Sequence, residues 1–119
     1  MHVMHFQNAV REHNEWWVQF EQYLKSNADE HTFKDVVRDD CCAIGQWLHG
    51  DGQEFSHLDE FQTVMKHHKD LHNAAGSARE AKLQGDAIAV QDAIDELLKL
   101  RHLLFMSWNT LNDIIGGLN

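Results

Sequence analysis

Apolar residues recur at helical spacing along most of this chain. Between residues 3 and 24 the positions Val3, Phe6, Val10, His13, Trp17, Phe20 and Leu24 follow one another at alternating steps of three and four. That periodicity places all seven on one face of a helix, with His13 the one polar member. Residues 25–40 are polar and broken. Ser26-Asn27-Ala28-Asp29-Glu30-His31 reads as a turn, and Phe33 to Val37 as one or two helical turns. Asp39-Asp40 then precedes Cys41-Cys42-Ala43-Ile44-Gly45-Gln46-Trp47-Leu48. Aspartate ahead of an apolar stretch is an N-cap signal, so a second, short helix is expected, ended by Gly50-Asp51-Gly52. Ser56-His57-Leu58-Asp59 has the form of a capping arrangement opening a third helix, whose inner face reads Leu58, Phe61, Met65, His68, His72, Ala75. Gly85-Asp86 marks the next turn. A fourth helix carries Val90, Ile94, Leu97, Leu104, Trp108, Leu111 and Ile115 on one stripe, and Gly116-Gly117 is expected to close it.

These elements predict an all-α protein: an antiparallel four-helix bundle with three long helices and a short Cys-bearing helix. No strand pattern competes, and neither a repeat nor a low-complexity linker interrupts residues 1–119, which read as a single domain. The absence of proline and the presence of only seven glycines favour long uninterrupted helices. The short second helix would leave part of the long ones uncovered, which is a physical reason to expect a homodimer.

Charge and cysteine content exclude several functions. The formal net charge is −9, so the chain lacks the basic surface with which nucleic-acid binders displace counterions from phosphates. The same charge argues against an anionic membrane surface as partner. No apolar run reaches the length of a membrane span, and no basic segment followed by an apolar one marks a signal peptide. Cys41 and Cys42 are adjacent, and neighbouring Cα atoms about 3.8 Å apart lie too close for an ordinary disulfide. No internal disulfide is expected, which fits a cytoplasmic protein.

Ten histidines in 119 residues motivate a search for a metal site. His68 and His72 are an i, i+4 pair whose rings leave the helix on the same side. By itself this pairing recurs by chance in a histidine-rich chain. His13 alone would read as a core histidine with its polar atoms satisfied. If the first and third helices meet by their apolar stripes, however, all three imidazoles face one core, and several ring nitrogens there need partners. Cys42, at the start of a short helix, has backbone N–H groups and a helix dipole that favour thiolate. Three neutral imidazoles and one thiolate around Zn²⁺ would give a site of net charge +1. Four protein ligands make such a site closed, whereas a catalytic zinc keeps a position open for water.

Three segments carry a resemblance: His13-Asn14-Glu15-Trp16, Cys42-Ala43-Ile44-Gly45-Gln46-Trp47-Leu48, and His68-Lys69-Asp70-Leu71-His72. In order and separation they resemble the His-x-x-Trp, Cys-x-hydrophobic-Gly-x-Trp and His-x-x-x-His segments of the chemoreceptor zinc-binding (CZB) domain of bacterial chemoreceptors and diguanylate cyclases. Cys42 matches the Cys-x-x-Gly spacing and Cys41 does not. The resemblance implies a cytoplasmic helical bundle, often dimeric, with zinc held by His13, Cys42, His68 and His72. It also implies control of a signalling partner, either a chemoreceptor's kinase-coupling region or a domain that makes cyclic di-GMP, and no catalytic role. No output domain accompanies the motifs in this sequence, so a stand-alone protein and a segment of a longer one are both open.

Other readings compete. A zinc-bound thiolate can be oxidised, which makes an oxidant sensor a second use of the same site. A hemerythrin-like di-iron bundle would need five or more histidines at the site plus bridging carboxylates, and a ferritin-like one two Glu-x-x-His pairs, of which only Glu54 to His57 is present. A helical interaction module without metal is the third. Elsewhere, His2 and His5 form an i, i+3 pair that could hold a metal weakly. His67, His49 and His57 read as solvated, and His31 and His102 have no evident partner. Trp16 and Trp17 cannot both face the same seam, so one is expected to cover the metal site or a dimer interface. Arg101 is expected to pack by its stem and extend its head into water.

Overall fold

Four helices form where the stripes place them. The computed structural model describes residues 2–25, 36 and 42–118, with side chains from Arg11 onward apart from those of Ala43 and Leu118. Helix α1 spans His2–Leu24, α2 Ala43–His49, α3 Asp59–Leu83 and α4 Ala87–Leu118. A 3-10 helix, Asp51–Phe55, joins α2 to α3. No strand occurs among the described residues, and none of their helices is long and apolar enough to cross a membrane. The fold is an all-α helical bundle.

Helices α3 and α4 make the largest interface and run antiparallel because the turn between them is tight. The Gly85 N–H donates to Lys82 O (3.0 Å) and the Asp86 N–H to Ala81 O (3.1 Å), the paired bonds of a Schellman ending. Gly85 takes φ +73°, a conformation that costs a residue with a Cβ. Asp86 Oδ1 then accepts the Ala89 N–H at 3.0 Å and starts α4. At about 1.5 Å per residue, the 32 residues of α4 account for the 48 Å length of the molecule. Ala75 and Ala78, fully buried, let the two long helices approach closely. Helix α1 adds Trp17 and Phe20 to the core, and Lys82 of α3 stands 5.0 Å over its Tyr23 ring.

The short helix α2 is held by side chains out of proportion to its length. Ile44, Trp47 and Leu48 are all buried. The Trp47 ring lies 5.9 Å from Trp108 of α4, 6.1 Å from Phe61 of α3 and 6.2 Å from Phe55 of the 3-10 helix. The Gln53 side-chain amide donates to Leu48 O at 2.7 Å and satisfies a carbonyl that the end of α2 leaves open.

Three boundaries differ from the sequence expectation. The N-cap of α2 is Cys42, not an aspartate: Cys42 is extended (φ −81°, ψ 166°) and its Sγ accepts the Gly45 N–H at 3.3 Å. Ser56 does not cap α3. It is helical (φ −63°, ψ −18°) because it continues the 3-10 turn, and the extended N-cap residue is Leu58, followed by Asp59 and Glu60 in the first turn where the helix dipole favours acids. Gly116 and Gly117 do not end α4, which runs to Leu118. Burial of Leu111 and Ile115 offsets two exposed glycines that cost about 1 kcal/mol each. The expected turn at Ser26–His31, the short piece at Phe33 to Val37 other than Val36, the Asp39-Asp40 signal and Cys41 lie outside the described residues. So do the side chains of Val3, Phe6, Val10 and of the His2 and His5 pair.

Gly52 gives a direct test of how α2 is held. A Cβ there would lie 2.7 Å from Trp47 O and 2.8 Å from ring atom Cε3, and the backbone oxygen cannot yield. Gly52→Ala should therefore lower stability by roughly 1–3 kcal/mol in urea unfolding. Gly116→Ala, with nothing within 4 Å, should leave stability equal or slightly raised. Equal stabilities for the two variants would contradict the close approach of Trp47.

Candidate metal centre

Three elements converge on one group of donors. His13 comes from the middle of α1, Cys42 from the cap of α2, and His68 and His72 from successive turns of α3. Each offers one ligand atom, and these atoms all lie within 4.8 Å of one another. Cys42 Sγ is 3.1 Å from His68 Nε2 and 3.4 Å from His72 Nε2, and the two Nε2 atoms are 3.1 Å apart. The three histidines are 4%, 0% and 1% exposed, while Cys42 as a residue is only half-buried.

The surroundings fix which nitrogens face inward. His72 Nδ1 lies 2.8 Å from Val36 O. A carbonyl only accepts, so Nδ1 carries the proton and Nε2 turns its lone pair into the cluster. His68 Nδ1 is buried without a hydrogen-bond partner among the described residues, and its Nε2 faces the same point. Trp16 lies 5.5 Å from His72 and 6.2 Å from His13, and Trp17 sits 5.6 Å from His13. Both tryptophans of the pair thus wall the cluster. Trp17 is buried in the core, and Trp16 is half-buried and stacked on Phe20.

Burial decides the charge state of the rings. It lowers His13 from 6.5 to about 3, with lesser contributions from His72 and Arg101. It lowers His68 from 6.5 to about 2, aided by His72, His13 and His49. Neutral imidazoles packed this closely present lone pairs to one another, which is repulsive unless a proton or a cation lies between. A tetrahedral zinc with N at about 2.05 Å and S at about 2.3 Å would set N···N near 3.3 Å and N···S near 3.6 Å. The separations of 3.1 Å and of 3.1 and 3.4 Å are close to those edges, slightly contracted. The donor set therefore fits Zn²⁺, and it contains no carboxylate of the kind that bridges two irons.

Other residues the sequence singled out fall elsewhere. His67 is half-buried rather than solvated, with Nδ1 3.1 Å from Ser107 Oγ across the α3–α4 seam. Arg101 is ion-paired with Glu21 of α1 instead of reaching free into water. Glu21 gave no signal in the sequence because its position belongs to the polar side of α1. His49, His57 and His102 are exposed.

A sequence model of the chemoreceptor zinc-binding domain matches residues 13–79, more than half of the chain, and takes in all four clustered residues. The chain belongs to the chemoreceptor zinc-binding family. No curated relative and no solved structure matches it. The match begins at His13, the first of the clustered donors, and leaves α4 outside. Zinc is accordingly the metal this domain binds, and the three-histidine, one-cysteine group is positioned to take it.

The lowered histidines set the pH response of the metal-free protein. Both rings hold a proton more weakly folded than unfolded, so below pH 6.5 the unfolded chain binds the extra protons and stability falls with pH. The loss continues down to about pH 3 for His13 and about 2 for His68. Thermal melts of chelator-treated protein should move to lower temperature steadily from pH 7 to pH 5. A flat profile over that interval would show that the rings are not buried as neutral species.

Proposed function

We propose that His13, Cys42, His68 and His72 together hold one Zn²⁺, and that residues 1–119 form one regulatory domain of bacterial signalling and not an enzyme. The observation that carries this reading is the meeting of four donor atoms from three separate helices within 4.8 Å in the bundle core. Four protein ligands fill a tetrahedral ion and leave no position for a reacting water. When bound, the ion supplies a positive centre that accepts the four lone pairs, so the site carries a net charge of about +1.

The regulatory step follows from how the donors are distributed. His68 and His72 belong to one helix, but Cys42 and His13 tie α2 and α1 to it. With the site filled, α2 is anchored both by its sulfur and by Trp47. With the site empty, the hold through sulfur is lost while the Trp47 anchor and the Gln53–Leu48 hydrogen bond stay, and the core holds three neutral rings without a shared partner. Occupancy thereby biases the packing of α2 and α1 against α3, a two-state element that a partner can read. The partner is a chemoreceptor's kinase-coupling region or a cyclic-di-GMP-synthesising domain, in cis or in trans. A homodimer is the form we expect. Val18, Leu98, Phe105 and Met106 are each about half exposed or more (50–56%), an unusual outlay of large apolar side chains and the surface that a second copy would cover. Adjacent cysteines at a spacing too short for an ordinary disulfide support a reducing, cytoplasmic setting.

Oxidant sensing is a second reading, favoured by the greater exposure of Cys42 than of the three histidines. Peroxide would convert the thiolate to a sulfenate, with reduction of the peroxide to water, and remove one of four ligands.

Metal analysis tests the first reading. Protein purified without chelator should contain one zinc per chain, and His72→Ala should lower both zinc content and thermal stability. A strong chelator should lower the melting temperature of the native chain, with oligomeric state followed alongside. Unchanged zinc stoichiometry in His72→Ala would sink the ligand assignment. For the second reading, hypochlorite or peroxide should release zinc from the native protein, and a bound ion left untouched by either would dismiss it.

A further inference from the structure

A deep opening lies beside the metal cluster. Helices α1 and α4 meet less closely than α3 and α4, and between them is a cavity of about 370 Å³ to which all four helices contribute. Its floor is Trp17 of α1, Ile44 of α2, Leu71 of α3, and Leu104 and Trp108 of α4, none more than 5% exposed. Asn14, Leu98, His102 and Phe105 are exposed and stand at its mouth.

Size and lining suit a small apolar ligand. Ligand pockets commonly enclose about 300–1,000 Å³ under mainly apolar side chains with a few polar groups. An apolar cavity of about 150 Å³ already admits benzene, so this one has room for a molecule of two fused rings. Side chains around an unfilled apolar space lack contacts on one side, and an apolar occupant restores them.

The polar part of the wall narrows the chemistry. Arg101 lines the cavity and carries donors only. Its Nη1 donates to Glu21, and among the described residues Nε and Nη2 have no acceptor. Glu21 already balances the guanidinium charge, and the whole chain carries −9. A ligand carboxylate would meet Glu21 as a like charge at close range. An uncharged molecule with one acceptor oxygen fits the wall better than an acid does.

We propose that the α1–α4 cavity binds a small uncharged aromatic molecule bearing one acceptor oxygen, held by the apolar floor and by the Arg101 guanidinium. Such an occupant touches α1 and α2, the two helices that His13 and Cys42 tie to α3, and is a second input to the same helix packing. That regulatory meaning rests on the zinc reading above, whereas binding itself does not. Leu98 and Phe105 also belong to the surface expected to face a second copy, but the floor lies beneath them.

The test titrates the native chain, purified without chelator, with 2-acetylnaphthalene, which has two rings, no charge and one carbonyl oxygen. Calorimetry should show one saturable site per chain. The indole N–H resonances of Trp17 and Trp108 should shift more than that of Trp16, which lies outside the cavity lining. Leu98→Trp overfills the exposed mouth and should weaken binding roughly tenfold or more. Arg101→Met keeps the stem and removes the donors, which predicts roughly tenfold weaker binding for a hydrogen bond to a charged group. 2-Naphthoate should bind the native chain more weakly than the ketone. Should either variant misfold, the native indole shifts and the ketone-to-acid comparison still decide. Absence of saturable binding up to the solubility limit of the ketone overturns the inference, as does equal binding to Leu98→Trp or tighter binding of 2-naphthoate. Binding that vanishes as the chain dimerises shows that a second copy fills the cavity and overturns it too. A chain that takes up no zinc but binds the ketone removes the metal reading and leaves the cavity assignment standing.

Discussion

The structure depends on a single awkward requirement: three neutral imidazoles and a sulfur must share one dry volume. Each imidazole brings a lone pair, and burial forbids the simplest escape, which is to take up a proton. Polar groups in such a place cost free energy unless each finds a partner. Only His72 solves its outer side completely, through Val36 O. The Trp17 indole N–H lies against the His13 ring, about equally near both of its nitrogens, and His68 Nδ1 finds no partner among the described residues. The inner sides of the cluster point at one another. A divalent cation is the partner that satisfies all four at once, and the metal-binding character of the family follows from this geometry as directly as from its motifs.

The chain divides the work of building the site between two kinds of residue. Helix α3 brings two donors by local geometry alone, since i, i+4 spacing places them on one face. The fourth donor cannot come that way. Seven residues of α2 could not hold a position by helix propensity, because isolated helices of that length are marginal in water. Trp47 supplies the missing anchor through Phe55, Phe61 and Trp108, and Gly52 leaves room for its ring. The sulfur then serves twice, as the cap of its own helix and as a donor to the cluster. Any event at Cys42 therefore reaches the first turn of α2, which is what a device that converts site chemistry into helix packing requires.

Much of this was legible in the sequence because burial writes itself into periodicity. The stripes of α1, α3 and α4 required apolar residues every three or four positions, and His13, His68 and His72 stood out as exceptions to a rule that the other positions kept. The structure brings those three together with Cys42. What the sequence hid was whatever depends on which of several polar groups does a shared task. Aspartate is a far commoner cap than cysteine, so Asp39-Asp40 masked Cys42. Ser56 looked like a cap because the preceding 3-10 turn, with no apolar period of its own, left no trace. His67 read as solvated because its bond is to Ser107, forty positions away. Arg101 read as free because Glu21 lies on the polar side of another helix. Side-chain pairing across helices has no period, and so no sequence signature.

The distribution of exposure around the cluster also separates two kinds of input. The histidines are sealed from solvent, so they respond to what arrives as an ion and replaces their missing partners. Cys42 is only half-buried, the least sealed of the four residues. On the proposed reading, ion supply acts through all four donors and changes how tightly α1, α2 and α3 are joined. An oxidant acts at sulfur alone and undoes the joint from its α2 side. Both end in the same loss, because a site of three imidazoles without thiolate keeps His13, His68 and His72 but no longer holds the short helix to them. Two chemical signals would then produce one structural outcome, and the bundle needs no second sensor to read them.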